Sequence, residues 1–372
     1  MSITVETMRP KLHPLDRARE VLARTEPLST YEFSVGEAIR FHVMPTWNHG
    51  IEAKSGTDLV DALIIIGTGV AATQWPLSKD AILEATSICG IPKTYAARCP
   101  SDLIEAQLNY WFRGGLNNRT VGTRDYQLLV AAGRGAALTR ASIRPFSNLR
   151  LLEEAVAGIQ QRFGSDSEIL VDYKFAHSLR RTHLRLIVPE YQRTIERSGT
   201  ADDVWSVGLQ IRNSLVGEEK TSIEGYLFRW TCTNGAIDTR ACSGTWSRRG
   251  GSSEAEVYEW ARSAVDEVLG GLEPTLDAVQ AMVDIPVQGH VNDVLRDVFT
   301  HYRVPLPERN RIIAQMAEVT DLNMYTIMNV ITQLANDSDM EPSHVENLLR
   351  LGGDLPHAET SRCEACRRLL PH

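Results

Sequence analysis

The chain has 372 residues, 43% of them hydrophobic, six cysteines and a formal net charge of −8. This composition excludes a disordered chain and provides for two or more domains with buried cores, and six scattered cysteines exclude a disulfide scaffold and suit a reducing compartment. No uninterrupted apolar run approaches the roughly 20 residues of a membrane-spanning helix, and Met1-Ser2-Ile3-Thr4-Val5-Glu6 lacks the order of a signal peptide, so a cytoplasmic location with no membrane partner is expected.

Residues 1–30 are polar, with Pro10, Pro14 and Pro27 bounding a short amphipathic helix near Leu15 to Thr25; they read as a flexible arm. Residues 31–252 read as a sheet domain. Tyr31 to Met44 and Leu59 to Trp75 are extended, Ser78 caps a helix that Gly90 stops after Cys89, and a second helix runs from Ser101 to Phe112. Within this stretch Ile64-Ile65-Ile66-Gly67-Thr68-Gly69 is similar to a dinucleotide-binding strand and glycine loop. Pro76 interrupts any helix that would have to start at the glycines, so a hairpin with a returning strand explains the residues better.

Seven arginines against one acid lie between Arg113 and Arg150. Gln127 to Gly135 and Ala136 to Ile143 read as strand, glycine turn, strand, with Arg134 beside the turn and Arg140 and Arg144 on one face if the strand continues. Asn148 caps a helix over 149–163. Thr182 to Val188 then alternates His183, Arg185 and Ile187 with Leu184, Leu186 and Val188, which predicts a sheet with one apolar and one basic face. Val204 to Arg212 and Ile223 to Thr233 form an antiparallel hairpin, and Asn234-Gly235 supplies the positive φ angles for a further reversal.

After residue 252 the pattern becomes helical. Ser253 caps the first helix, whose apolar spacing runs toward Ile285 with breaks expected at Gly270-Gly271 and Pro274; further helices fit 291–302, 307–318, 324–335 and 342–351. Nineteen acids face six arginines between residues 253 and 359, so 253–352 is an acidic helical region. The fold class is α+β: an antiparallel twisted sheet with flanking helices, followed by an all-helical carboxyl-terminal region. The tail, 353–372, presents His357, Cys363, Cys366 and His372, two thiols and two imidazoles that make a candidate zinc set; the alternative is a soluble tail without metal.

Asn213-Ser214, Gly217, Arg229 and Cys232-Thr233-Asn234-Gly235 resemble the signature of a phage- and plasmid-borne group, the domain-of-unknown-function family nine-thirty-two. Thr326 to Ala335 is similar to a helix near that family's carboxyl end. The resemblance spans about residues 125 to 352 and implies a phage or plasmid setting, hence a host cytoplasm, and no known reaction.

No phosphate-binding loop, His-Glu-x2-His zinc motif or Gly-x-Ser-x-Gly elbow is present, and Cys232 reads as a small buried hydrophobe. Arginine outnumbers lysine 33 to 6; base composition of the genome explains that bias without function, while the planar guanidinium also binds phosphate and stacks on bases. The expected nucleic-acid contacts are Arg134, Arg140, Arg144, Arg180, Arg181, Arg185, Arg229, Arg248 and Arg249, with Trp246 as the stacking platform and Trp230 as core. They point to a non-catalytic protein that binds single-stranded DNA in replication or recombination, as a monomer or homo-oligomer. The alternatives are a regulatory module acting on a host factor and an enzyme of unrecognised class.

Overall fold

The structure, a computed structural model, describes residues 12–25, 29–34, 39–45, 62–67, 72–113, 125–131, 133–172, 176–177, 181–197, 202–231, 234–246, 253–287, 291–319, 322–335, 340, 342–360 and 364–369. It opens with β1 (Leu12–Pro14) and α1 (Leu15–Thr25). These are not a loose arm. Leu12 pairs with Asp172 in a sheet, Ala18 and Leu22 are fully buried, and Arg19 grips Glu153 at 2.8 Å.

The expected single sheet domain is two sheets. In the first, β2 (Ser29–Ser34), β3 (Ile39–Val43), β4 (Ala62–Ile66), β5 (Thr73–Leu77), β6 (Asp125–Ala131) and β7 (Arg134–Arg140) run in the order β2-β6-β7-β5-β4-β3. β4 and β5 are antiparallel neighbours, as the hairpin reading requires, and Gly67 leaves β4 with φ of 99°; Thr68 and Gly69 lie outside the described residues. Three helices pack on this sheet: α2 (Lys79–Ile88), α3 (Lys93–Ala96) and α4 (Ser101–Phe112). Ser78 caps α2, accepting from Ala81 N at 3.2 Å and donating to Ala136 O at 3.0 Å. One hydroxyl therefore starts the helix and ties it to β7. α4 covers the outer strand β3. Asn109 accepts from Phe41 N and donates to Phe41 O, both at 2.8 Å, and Glu105 accepts from Val43 N at 2.9 Å. The core between sheet and helices is built on Phe41, Ile64, Leu108, Phe112, Tyr126 and Leu128.

The second sheet follows α5 (Asn148–Phe163), whose cap is Ser147 rather than Asn148. It comprises β8 (Leu170–Asp172), β9 (Ala176–His177), β10 (Thr182–Ile195), β11 (Asp203–Asn213), β12 (Thr221–Arg229) and β13 (Asn234–Trp246), ordered β1-β8-β10-β11-β12-β13 with β9 on β10. All its pairings are antiparallel. The β12–β13 reversal differs from the expected one. Asn234 and Gly235 already lie in β13, opposite Arg229 and Phe228, and neither has a positive φ. Gly235 is required by packing: a Cβ there would meet the Tyr226 ring at 2.3–2.5 Å.

Helices α6 (Glu254–Ala281), α7 (Val291–His301), α8 (Leu306–Ala317), α9 (Met324–Leu334), α10 (Pro342–Asp354) and α11 (Glu364–Arg367) complete the described chain. A capping box joins Ser253 and Glu256. α6 continues unbroken through Gly270-Gly271 and Pro274, because its buried stripe, Val257, Ala261, Val265, Val268, Leu272, Leu276 and Val279, stays in phase. That burial outweighs the one backbone hydrogen bond the proline removes. These helices are not a separate acidic domain, for Tyr325, Met328 and Leu348 share one continuous core with Trp205, Leu209 and Tyr226. Their carboxylates serve arginines of α5 and of the larger sheet: Asp266 binds Arg162 of α5 at 2.7 Å, Asp277 binds Arg193 and Glu346 binds Arg212 at 3.3 Å. No helix of the described residues is long and apolar enough to cross a membrane.

Candidate nucleic-acid interface

The alternation read in β10 does sort its side chains by face, but the charged face is covered rather than open. Arg185 is buried, with Nε donating to Gln210 at 2.9 Å and a guanidinium nitrogen 3.3 Å from Asp172. Cross-strand neighbours extend the row: Gln210 donates to Glu224 at 3.3 Å, and Arg350 of α10 closes on Glu224 at 2.6 Å and Glu346 at 2.9 Å. One step along the strands, Arg212 binds Glu219 at 2.6 Å. His183 lies between carboxylates, 3.1 Å from Glu219 and 3.4 Å from Glu346. Asp172, Glu219, Glu224 and Glu346 thus face Arg185, Arg212, Arg350 and an imidazole, an internally matched set. Burial pushes the Glu219 carboxyl up, but His183 and Arg212 overcome it and hold it below its usual range. Glu346 is likewise lowered, burial being outweighed by Arg212, His183 and Arg350. The expected basic face is therefore a neutralised layer, and Arg185 is corrected from a nucleic-acid contact to an internal ion pair.

Arg229 needs the same correction. Its guanidinium reaches Asp203 at 2.6 Å, and Asp203 also accepts from Thr231 at 2.6 Å and Tyr325 at 2.7 Å. Burial raises the Asp203 carboxyl, and the Arg229 charge and these donors bring it net below its usual range; burial conversely pushes the Tyr325 phenol to about 12. Trp230 is 1% exposed and donates to Ser206 at 2.6 Å, a core residue as its strand pattern indicates.

The remaining arginines do not line up as expected either. β7 ends at Arg140, and a turn closed by Ile143 N on Arg140 O at 2.9 Å separates it from Arg144, so no strand carries the two on one face. Both are exposed, as is Arg181, while Arg134 is half-buried. Trp246 ends β13 opposite Thr221. Arg180, Arg248, Arg249 and Cys232 lie outside the described residues, as does the side chain of Trp246.

What the structure does bring out is a difference between the two sheets. Arg185, Arg193, Arg197, Arg212 and Arg229 on or beside the larger sheet hold carboxylates, while Arg240 of β13 is exposed and reaches the His357 carbonyl at 3.3 Å. On the smaller body Arg40, Arg98, Arg113 and Arg140 are exposed, and among the described residues their guanidinium groups make no ion pair; Arg113 reaches only the Ile39 carbonyl at 3.5 Å. That contact sets Arg113 beside Arg40 on β3. One helical turn before Arg113, Tyr110 is 54% exposed, and Tyr95 on α3 is 49% exposed. Arg40 was legible in sequence from its alternation with Ile39 and Phe41, and Tyr110 from its helical phase with Leu103, but neither stands in an arginine-rich run.

In the tail, Cys366 is fully buried and the His357 ring lies 3.2 Å from the Thr275 hydroxyl and 3.5 Å from Asp238. Cys363 and His372 lie outside the described residues, and among those described no group of three or more His, Cys, Asp or Glu side chains has the geometry to hold a metal. Comparison with family models, curated proteins and solved structures finds no match.

Proposed function

We propose that this is a non-catalytic nucleic-acid-binding protein of a phage or mobile element, that its ligand is single-stranded DNA in replication or recombination, and that the smaller sheet body makes the contact. The phage or plasmid setting rests on the sequence resemblance. The observation that carries the ligand is the group of exposed arginines without ion pairs among the described residues of the smaller body, Arg40, Arg98, Arg113 and Arg140, beside exposed tyrosines, whereas most arginines of the larger sheet hold carboxylates. Free guanidinium groups release counterions when they neutralise phosphates, and an exposed ring stacks on any unpaired base.

Fluorescence anisotropy of a labelled oligothymidine with the full chain tests the reading. Affinity should fall steeply with salt, and Arg40→Ala with Arg113→Ala should weaken it about tenfold, the scale of one to two lost phosphate contacts and their steering. Arg162→Ala, which removes an ion-paired arginine, should leave it unchanged. Absent or salt-independent binding rejects the proposal. A second reading, a docking face for a host protein, is favoured by Leu103, 40% exposed on the same helix as Tyr110; capture of one host protein without DNA would select it.

A further inference from the structure

A cleft of about 300 Å³ opens where the carboxyl end of α7 meets α10 and β13, away from the smaller sheet and independent of the reading above. Its frame is rigid. Asp354 accepts from Thr239 at 2.5 Å and from the Tyr302 hydroxyl at 2.7 Å. Arg350, also lining the cleft, is fixed from behind by Glu224 at 2.6 Å and Glu346 at 2.9 Å.

The remaining lining side chains are His301, Arg303 and Asn347. Among the described residues none of the three makes a side-chain hydrogen bond or ion pair, although all converge on one space; the His301 ring only meets Tyr302 edge-on, 5.1 Å between centroids. Arg303 is the one non-glycine described residue with positive φ, 53°. It closes α7 at a position where glycine is the ordinary choice. Its guanidinium is not needed there as a cap, because Arg309 donates to the carbonyls of Val304 at 2.6 Å and Phe299 at 3.4 Å and to Thr300 Oγ1 at 3.0 Å. An arginine thus occupies a strained position in which only its side chain gives it an advantage over glycine.

Arg350 is already matched by Glu224 and Glu346, so among the described residues the unengaged charge in the cleft is Arg303, opposite Asp354, and the His301 ring and the Asn347 amide add further hydrogen-bonding groups. That set suits an oxyanion with several acceptor oxygens, and the guanidinium fork suits phosphate. A volume of about 300 Å³ exceeds a bare ion, and the His301 and Tyr302 rings, set at 70° to one another, form an aromatic corner for an organic group. We infer that this cleft binds a phosphate monoester of nucleotide size.

Isothermal titration of the full chain with thymidine 5′-monophosphate tests it, alongside thymidine, inorganic phosphate and acetate. The monophosphate should bind saturably, inorganic phosphate should compete more weakly, and thymidine and acetate should be silent. Arg303→Gly is the decisive variant, since glycine takes the same φ without strain: the melting temperature should hold or rise while affinity falls at least tenfold. Asn347→Leu should weaken binding further, and the Arg40→Ala and Arg113→Ala pair should not affect it. The inference is overturned by absence of saturable monophosphate binding, by unchanged affinity in Arg303→Gly, or by acetate or thymidine binding as well as the monophosphate. A lower melting temperature in both Arg303→Gly and Arg303→Asn, the two residues that best tolerate this φ, would show that the side chain serves the fold, and would also overturn it.

Discussion

Asn234 donates its side-chain amide to Thr332 Oγ1 at 2.7 Å, across 98 positions of sequence. The bond fixes the first residue of β13 to the last turn of α9, and both partners are fully buried. The two stretches that carry the sequence resemblance therefore meet in space. Gly352 of α10 packs on the same threonine, where a Cβ would lie 2.3 Å from Thr332 Cγ2. Asn234→Ala removes the donor and leaves a buried hydroxyl with one partner fewer, so it should lower unfolding free energy by about 1–3 kcal/mol. Urea denaturation of the two proteins measures this directly.

The Arg229–Asp203 pair should behave as an internal support and not as a ligand contact. Arg229→Met leaves Asp203, 1% exposed, with the longer Arg197 contact at 3.4 Å and its two hydroxyl donors, so the cost should fall at or below about 3 kcal/mol, the low end for breaking a buried pair. The variant should unfold at lower denaturant yet bind oligothymidine with wild-type affinity at a temperature where it remains folded. A selective loss of DNA affinity with unchanged stability would return Arg229 to the interface.

Stability should decline on the acid side. Asp203, Glu219, Asp238 and Glu346 all have carboxyls lowered in the folded chain, where their partners outweigh burial. A lowered folded-state value means that the unfolded chain binds protons first. The contribution is therefore complete above the unfolded values of about 3.9 for Asp and 4.3 for Glu, and is lost as pH falls below them toward the folded values. Tyr325 has the opposite sign. With its phenol raised to about 12, the benefit of its neutral form is present below the unfolded value of about 10 and disappears as pH rises through about 12. Melting temperature against pH should show a plateau with these two shoulders; burial also pushes the Cys89 thiol up to about 12, so Tyr325→Phe should shrink the alkaline shoulder and Tyr325→Phe with Cys89→Ala should shrink it further.

Salt dependence separates phosphate contacts from everything else. Each contact removed should reduce the slope of log affinity against log salt by roughly 0.7 for a single strand. Arg40→Ala and Arg113→Ala should each lower the slope, while Tyr110→Ser should weaken binding by about 1–3 kcal/mol with the slope retained, as expected for a stacked base. Equal slopes in all three variants would remove both arginines from contact with the backbone.

How far sequence reaches depends on the range of each interaction. The Ser253–Glu256 capping box, the Gly133 turn between β6 and β7 and the β11–β12 hairpin are set by neighbours within a few positions, and all were readable. Alternation in Thr182 to Val188 told which side chains share a face of β10. It carried nothing about what covers that face, because Arg350 meets Glu224 across 126 positions. A run of arginines likewise says nothing of its partners: Arg185 and Arg229 found carboxylates supplied by other strands. Division into two sheets was hidden for a related reason, since the β2–β6 pairing joins Ser29 to Val130 over a separation that no local pattern reports. Gly235 was read as a turn because Asn-Gly favours one; the aromatic ring that requires it lies one strand away.

Asn109 has a consequence beyond holding α4. By answering both the amide and the carbonyl of Phe41, one side chain imitates an adjoining strand at the rim of the smaller sheet. With Val43 N also taken by Glu105, that rim has little left to offer a stray extended peptide, and sheet-to-sheet polymerisation from this side is blocked. Asn109→Leu would keep the helix and its bulk but reopen the template, and slow fibrillation in concentrated solution is the cost the molecule would then bear.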